Sequence, residues 1–140
     1  MMSFFEWSDD YNTGIPDIDR QHQCLFVLVD ILFAKDEVGA EKASIKDTIE
    51  ALVDYINHHF ALEEDLFDAC DYHNSETHKT EHRKLQSQVE SYRRSFYSNL
   101  EPFNMEDFKS FLSNWLKGHI LKSDMAYVPY VQPHKESIGP

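Results

Sequence analysis

Apolar residues recur along this chain at spacings of three and four, the period of a helix buried on one face. A first run is Ile18, His22, Leu25, Val29 and Leu32, following a stop-and-cap signal at Pro16-Asp17. The second and longest is Ile45, Ile49, Leu52, Ile56, His59, Glu63, Leu66 and Cys70, with Ser44 and Asp47 offering an N-terminal cap. A third runs His78, His82, Leu85, Val89, Tyr92 and Phe96, capped by Asn74 or Ser75. A fourth runs Met105, Phe108, Leu112, Leu116 and His119, with Asn104 as its cap after Pro102. No stretch alternates for long like a strand. The connections are short: around Gly39, across Asp71 to Asn74, and from Ser98 to Phe103. Links of that length join antiparallel neighbours. The pattern therefore predicts an all-α fold, an up-down-up-down antiparallel four-helix bundle over residues 17–127. An irregular aromatic arm, residues 1–16 with Phe4, Phe5, Trp7 and Tyr11, should pack on the bundle. Residues 128–140, with Pro129, Pro133 and Pro140, read as a non-helical tail or linker.

Four of the runs carry polar residues on their apolar faces. His22 lies near the start of the first helix and His59 and Glu63 toward the end of the second. His78 and His82 open the third, and His119 and Asp124 close the fourth. In an antiparallel bundle these positions all fall at one end, at a rise of about 1.5 Å per residue. Burying imidazoles and carboxylates without partners costs some kilocalories per group, against a total stability of about 5–15 kcal/mol. Mutual hydrogen bonds offset part of that cost, but five imidazoles offer many donors and few charges to balance them. Two metal ions would satisfy all seven side chains together. Residues four apart share a helical face, so His59 with Glu63 and His78 with His82 can each reach a common centre. Asp124, five residues after His119, is turned about 140° from it and needs a helix end or a local distortion to reach inward. His58, His73 and His134 are expected to be solvated surface residues.

Composition narrows the partners. The chain has 140 residues, enough for a single domain over 1–140. A net charge of −12 disfavours nucleic acid and anionic membranes. No apolar run approaches the ~20 residues needed to cross a bilayer, and the start lacks the features of a secretion signal. Cys24 and Cys70 are the only cysteines and form no Cys-x-x-Cys pair, which favours a reducing, cytoplasmic setting.

The ordered set His22, His59-x-x-x-Glu63, His78-x-x-x-His82, His119-x-x-x-x-Asp124 resembles the hemerythrins, specifically the bacterial ones. Flanking residues that carry the resemblance are Trp7, Gly14-Ile15-Pro16, Ile18-Asp19-Arg20-Gln21-His22, His59-Phe60 before Glu63-Glu64, and Trp115-Leu116 before His119-Ile120. It spans roughly residues 4–127. One departure is the turn Cys70-Asp71-Tyr72-His73-Asn74, which replaces a Gly-Tyr-Pro-like sequence and leaves the conformation of that loop open.

The resemblance implies a non-haem di-iron centre (Fe2+/Fe3+) with a bridging oxo or hydroxo group that binds dioxygen reversibly. Imidazole and carboxylate suit iron, although ligand type alone also admits zinc or manganese. Two six-coordinate irons offer twelve places. Five histidines, two carboxylates bridging through both oxygens and one oxo or hydroxo bridge fill eleven, leaving one open. By resemblance, His78, His82 and His119 would hold the filled iron, and His22 and His59 the one with the vacancy. Leu116, one turn before His119, is a candidate apolar wall of the oxygen pocket, and Trp115 shields the site or fills core. None of the eight histidines has Glu three residues before it, unlike the Glu-x-x-His sites of oxygen-activating bundles. That favours non-catalytic binding: a carrier or store, or the sensing input domain of a fused or separate signalling protein. An iron-handling or weak peroxidase-type di-iron protein is the alternative, and a metal-free helical interaction domain is the reading without a metal.

Overall fold

In the computed structural model, Trp7 and residues 9–98, 103–119 and 124–131 are described. The four expected helices are α1 (Pro16–Glu37), α2 (Lys42–Cys70), α3 (Ser75–Tyr97) and α4 (Met105–Gly118), packed as an antiparallel bundle. A short helix, α5 (Met125–Val131), follows.

Helix ends refine the sequence pattern. α1 begins at Pro16 itself, with Ile15 as N-cap, rather than being capped at Asp17. Proline is preset for the first helical position. Asp19 instead ties down the approach, accepting from the Thr13 amide (2.7 Å) and hydroxyl (2.8 Å) and from the Gly14 amide (3.2 Å). α2 starts two residues before Ser44, which lies inside the helix, its carbonyl taken by the Lys35 ammonium at 2.9 Å. Asn74 precedes α3 without a side-chain cap, whereas the Asn104 side chain accepts from the Asp107 amide (3.0 Å) as expected.

Two turns close by the same device. After α1, Ala40 donates to the Lys35 carbonyl (2.9 Å) and Gly39 to that of Asp36 (3.1 Å), with Gly39 at φ 66°. This double closure needs a left-handed residue at its centre. After α2, Tyr72 donates to the Phe67 carbonyl (3.1 Å), and Asp71 takes the left-handed place at φ 51°. Asp fills that place because it tolerates this region better than most residues. Tyr72 is buried against Phe67 and Tyr127.

The arm packs as expected where it is described. Trp7 and Tyr11 stack against Phe26 at 5.2 and 5.0 Å. Phe4 and Phe5 lie outside the described residues. The reading of 128–140 as non-helical is corrected for its first part, since α5 runs through Pro129 to Val131. Tyr127 and Val131, one turn apart, are both fully buried. Their packing outweighs the proline's preference for a break.

The apolar core is in two parts. The larger contains Leu25, Phe26, Val29, Leu32, Ile49, Leu52, Ile56, Phe60, Val89, Phe108, Leu112 and Leu116. The smaller contains Ile15, Ile18, Leu66, Phe67, Tyr72, Tyr127 and Val131. Along α1 the order is Ile18, His22, Leu25; along α2 it is Phe60, Glu63, Leu66. Each polar position sits where its helix passes from one cluster to the other.

Replacing Asp71 by Gly should raise stability by about 0.5–1 kcal/mol, because the left-handed conformation costs a side-chain residue about 1–2 kcal/mol while glycine loses part of that gain to a freer unfolded chain. Asp71→Val should lower it. Urea unfolding of the three proteins measures both effects; equal midpoints would refute the assignment.

Candidate metal centre

The seven polar side chains converge in the layer between the two clusters. His22, His59, Glu63, His82 and Asp124 are no more than 1% exposed, and His78 and His119 are 4% and 5% exposed. Their donor atoms form two overlapping groups of four, each within 4.8 Å of one another: Glu63, His78, His82 and His119; and His22, His59, Glu63 and Asp124. Glu63 belongs to both.

Asp124 also spans them. Its Oδ2 is 2.8 Å from His22 Nε2 and 3.9 Å from His59 Nε2, while Oδ1 is 2.9 Å from His119 Nε2 and 3.2 Å from His78 Nε2. The five-residue spacing that set this residue apart does not keep its carboxylate from the centre. His119 and Asp124 both have π-helical hydrogen bonding, in which each turn takes up an extra residue. Residues 120–123 between them lie outside the described residues.

Glu63 presents one oxygen to the centre. Oε1 is 3.1 Å from His82 Nε2, 3.4 Å from His59, 3.8 Å from His119 and 4.0 Å from His78. Its Oε2 accepts from the Tyr127 hydroxyl at 2.7 Å. A buried phenol requires an acceptor, and Glu63 supplies it.

All five imidazoles turn Nε2 inward. His59 Nδ1 lies 2.8 Å from Gln21 Oε1, and His82 Nδ1 lies 2.8 Å from Glu64 Oε2. Amide and carboxylate oxygens only accept, so each Nδ1 carries the proton and each Nε2 keeps its lone pair for the centre. His119 Nδ1 is 3.6 Å from Glu81 Oε1, an ion-pair rather than a hydrogen-bond distance.

These residues fit a cation. The Nε2 atoms of His22 and His59 are 3.1 Å apart, two inward ring nitrogens facing each other. His119 Nε2 and Asp124 Oδ1 are 2.9 Å apart, yet neither has a hydrogen-bond partner, nor has His78 Nε2. Buried polar atoms without partners are rare. Here they aim at shared points in space, which is the geometry of ligands.

Electrostatics bind the layer together. Burial and the neighbouring Asp124 push Glu63 up, but the surrounding His59, His119 and His82 imidazoles prevail and hold it at about 2 in the metal-free protein. Asp124 stays well below its usual range, burial being outweighed by His119, His22 and His59. His119 is raised well above its usual value, burial being outweighed by Asp124 and Glu63. Burial and the charges of Glu63 and Asp124 raise the Tyr127 phenol.

Aromatic rings wall the three-histidine side. Phe60 stacks on His82 at 3.8 Å and 3°, Phe67 meets His78 at 4.7 Å, and Trp115 lies 6.2 Å from His119. Leu116 is buried in the larger cluster. His58 and His73 are exposed, as expected, and His134 lies outside the described residues. Both cysteines are free and half-buried. Among the described residues no helix is long and apolar enough to cross a membrane.

Periodicity did not assign roles to Gln21, Glu64 and Tyr127. Gln21 and Glu64 stand next to His22 and Glu63 in sequence, and so point away from their neighbours' face. Each instead supports an imidazole on the adjacent helix, a pairing that no single-helix pattern contains.

Residues 13–131 match the family model described as the hemerythrin HHE cation binding domain. A bacteriohemerythrin of Pseudomonas paraeruginosa is 37% identical over 131 residues, covering 94% of this chain and 84% of the relative. One of Clostridium acetobutylicum is 32% identical over 127 residues, covering 89% and 98%. A crystal structure of wild-type hemerythrin superposes with a TM-score of 0.82 at 28% identity, covering 92% of this chain and 98% of that one. With its buried histidine-carboxylate cluster of the di-iron kind, this chain belongs to the hemerythrin family.

Proposed function

We propose that this protein binds dioxygen reversibly at a di-iron centre held by His22, His59, Glu63, His78, His82, His119 and Asp124, without catalytic turnover. The observation that carries this reading is the inequality of the two donor groups, three imidazoles in one and two in the other, around a shared Glu63. Because Asp124 reaches both groups, the three-histidine position has five protein donors and the two-histidine position four, which favours a small ligand at the latter. A pair of ferrous ions at these residues would supply dioxygen with two electrons and regain them on its release.

The protein's own residues set the conditions for reversal. Glu63 and Asp124 hold the two positions at a fixed relation. Gln21 and Glu64 fix the ring planes of His59 and His82. Phe60, Trp115 and Leu116 exclude water, so that protons and bulk reductants reach the site slowly. Five imidazoles and two carboxylates give less anionic charge than carboxylate-rich sites, which disfavours high oxidation states of iron. Carriage or storage and sensing by an input domain share this chemistry. They differ in whether ligation alters a partner, and the slow water access of a closed pocket supports the carrier.

The protein as isolated should contain two irons per chain, and its reduced, colourless form should gain absorption in air that is lost again under vacuum. Colour that persists on deoxygenation, or consumption of a reductant with oxygen, would count against reversible binding. Leu116→Ala should speed autoxidation severalfold with iron content unchanged, read from the decay of the oxygenated spectrum; an unchanged rate removes Leu116 from the pocket wall.

Stability should respond to pH differently with and without metal. In the metal-free protein, depressed Glu63 and Asp124 contribute stability that is present above their ordinary values of 4.5 and 3.8 and is lost as pH falls through the folded ones. Raised His119 contributes stability that is present below 6.5 and is lost as pH rises through its folded value. Metal-free protein is thus expected to be most stable on the acid side of neutrality. Metal-loaded protein, whose imidazoles must be neutral, gains stability toward neutral pH. Melting temperatures of both forms from pH 4 to 9 check this, and parallel profiles would contradict it.

A further inference from the structure

The two donor groups are supported unequally from outside. In the three-histidine group, His82 Nδ1 meets the Glu64 carboxylate at 2.8 Å, and Glu81 lies 3.6 Å from His119 Nδ1. Among the described residues of the two-histidine group, His59 Nδ1 meets the neutral amide of Gln21, and the buried His22 Nδ1 has no hydrogen-bond partner. Glu64 is itself held. The Arg83 guanidinium donates to both its oxygens and to Gln86, whose amide donates in turn to Asn57 on α2 at 2.8 Å. The Glu64 side chain is 16% exposed, so its charge acts on His82 through protein as much as through water.

We propose that Glu64 is a positioning residue that makes the position formed by His78, His82, His119 and Glu63 the tighter of the two metal positions, so that the centre loads in order. An imidazole whose Nδ1–H donates to a carboxylate is a stronger Nε2 donor than one donating to an amide, and its ring is fixed for ligation. The three-histidine group thus has one more imidazole and the stronger external support. The two-histidine group has one imidazole fewer, a weaker backing for His59 and, among the described residues, none for His22 Nδ1. A weakly held second metal is also the one that keeps a place for an exogenous ligand. The inference rests on the two-metal reading above and adds the order of filling and the residue that sets it.

Metal-free full-length protein titrated anaerobically with Co2+, followed by its visible absorption and by calorimetry, tests this without oxygen binding. Two resolved steps are expected, the first at least tenfold tighter. Glu64→Gln keeps the acceptor and the size of the side chain but removes its charge, reproducing the support that His59 has. It should weaken the first step 10- to 100-fold, shift that step's absorption bands and leave the second within about threefold. Glu64→Asp should restore part of the loss. Gln21→Ala should weaken the second step alone. Two metals bound with equal affinity in the unaltered protein, or Glu64→Gln weakening both steps alike, would overturn the proposal. Binding of a single metal would overturn the two-metal reading itself.

Discussion

Seven ionisable side chains lie sealed between two apolar clusters, and their mutual compensation is the condition under which this bundle is stable. Each would cost several kilocalories if buried alone, a large part of the total stability of a domain this size. Together they oppose two carboxylates held ionised to imidazoles that carry or share positive charge, or to metal ions. The compensation works only at one relative height of the helices. Sliding any helix by a turn, about 5.4 Å, would set a histidine against leucine or phenylalanine and leave its partners exposed to an apolar wall. The polar layer therefore acts as a register device as well as a site.

That arrangement links stability to chemistry. The larger cluster closes the layer from one side with Phe60, Leu112 and Leu116, and the smaller closes it from the other with Ile18, Phe67 and Tyr127. Both faces exclude water from the same atoms that need a low-dielectric surround to hold a metal and a small apolar gas. Lys109 with Asp36, and Arg93 with Glu50, join helices away from the layer. These half-buried pairs remain in contact with solvent and add modestly to stability, which leaves packing and the polar layer as the main determinants of the fold.

The short α5 completes the site rather than trailing from it. Asp124 precedes it, reaching both donor groups, and Tyr127 on its first turn holds the second oxygen of Glu63. Anchoring of Tyr127 and Val131 in the smaller cluster keeps both in place. A proline within the helix is tolerated because side-chain burial fixes the segment from outside.

The four helices of the bundle, their faces and the level at which the polar residues meet were all legible in the chain. Period, polarity and loop length are local properties, and an antiparallel order converts them into height. The convergence of His59 with Glu63 and of His78 with His82 follows from spacing alone. What the tertiary structure decided is whatever depends on two helices at once. The supports from Gln21 to His59 and from Glu64 to His82 lie off each helix's own apolar face, so periodicity reads them as surface. The helical fate of residues 125–131 depends on the apolar surface that Ile15, Ile18, Leu66 and Phe67 offer to Tyr127 and Val131, which no window of sequence contains. Asp124 reaches both donor groups from just before α5, and Glu63 turns one oxygen to a phenol 64 residues away. Sequence placed the donors at one level because helical geometry is regular. Their orientation, and the inequality between the two halves of the centre, came from neighbours brought together only by folding.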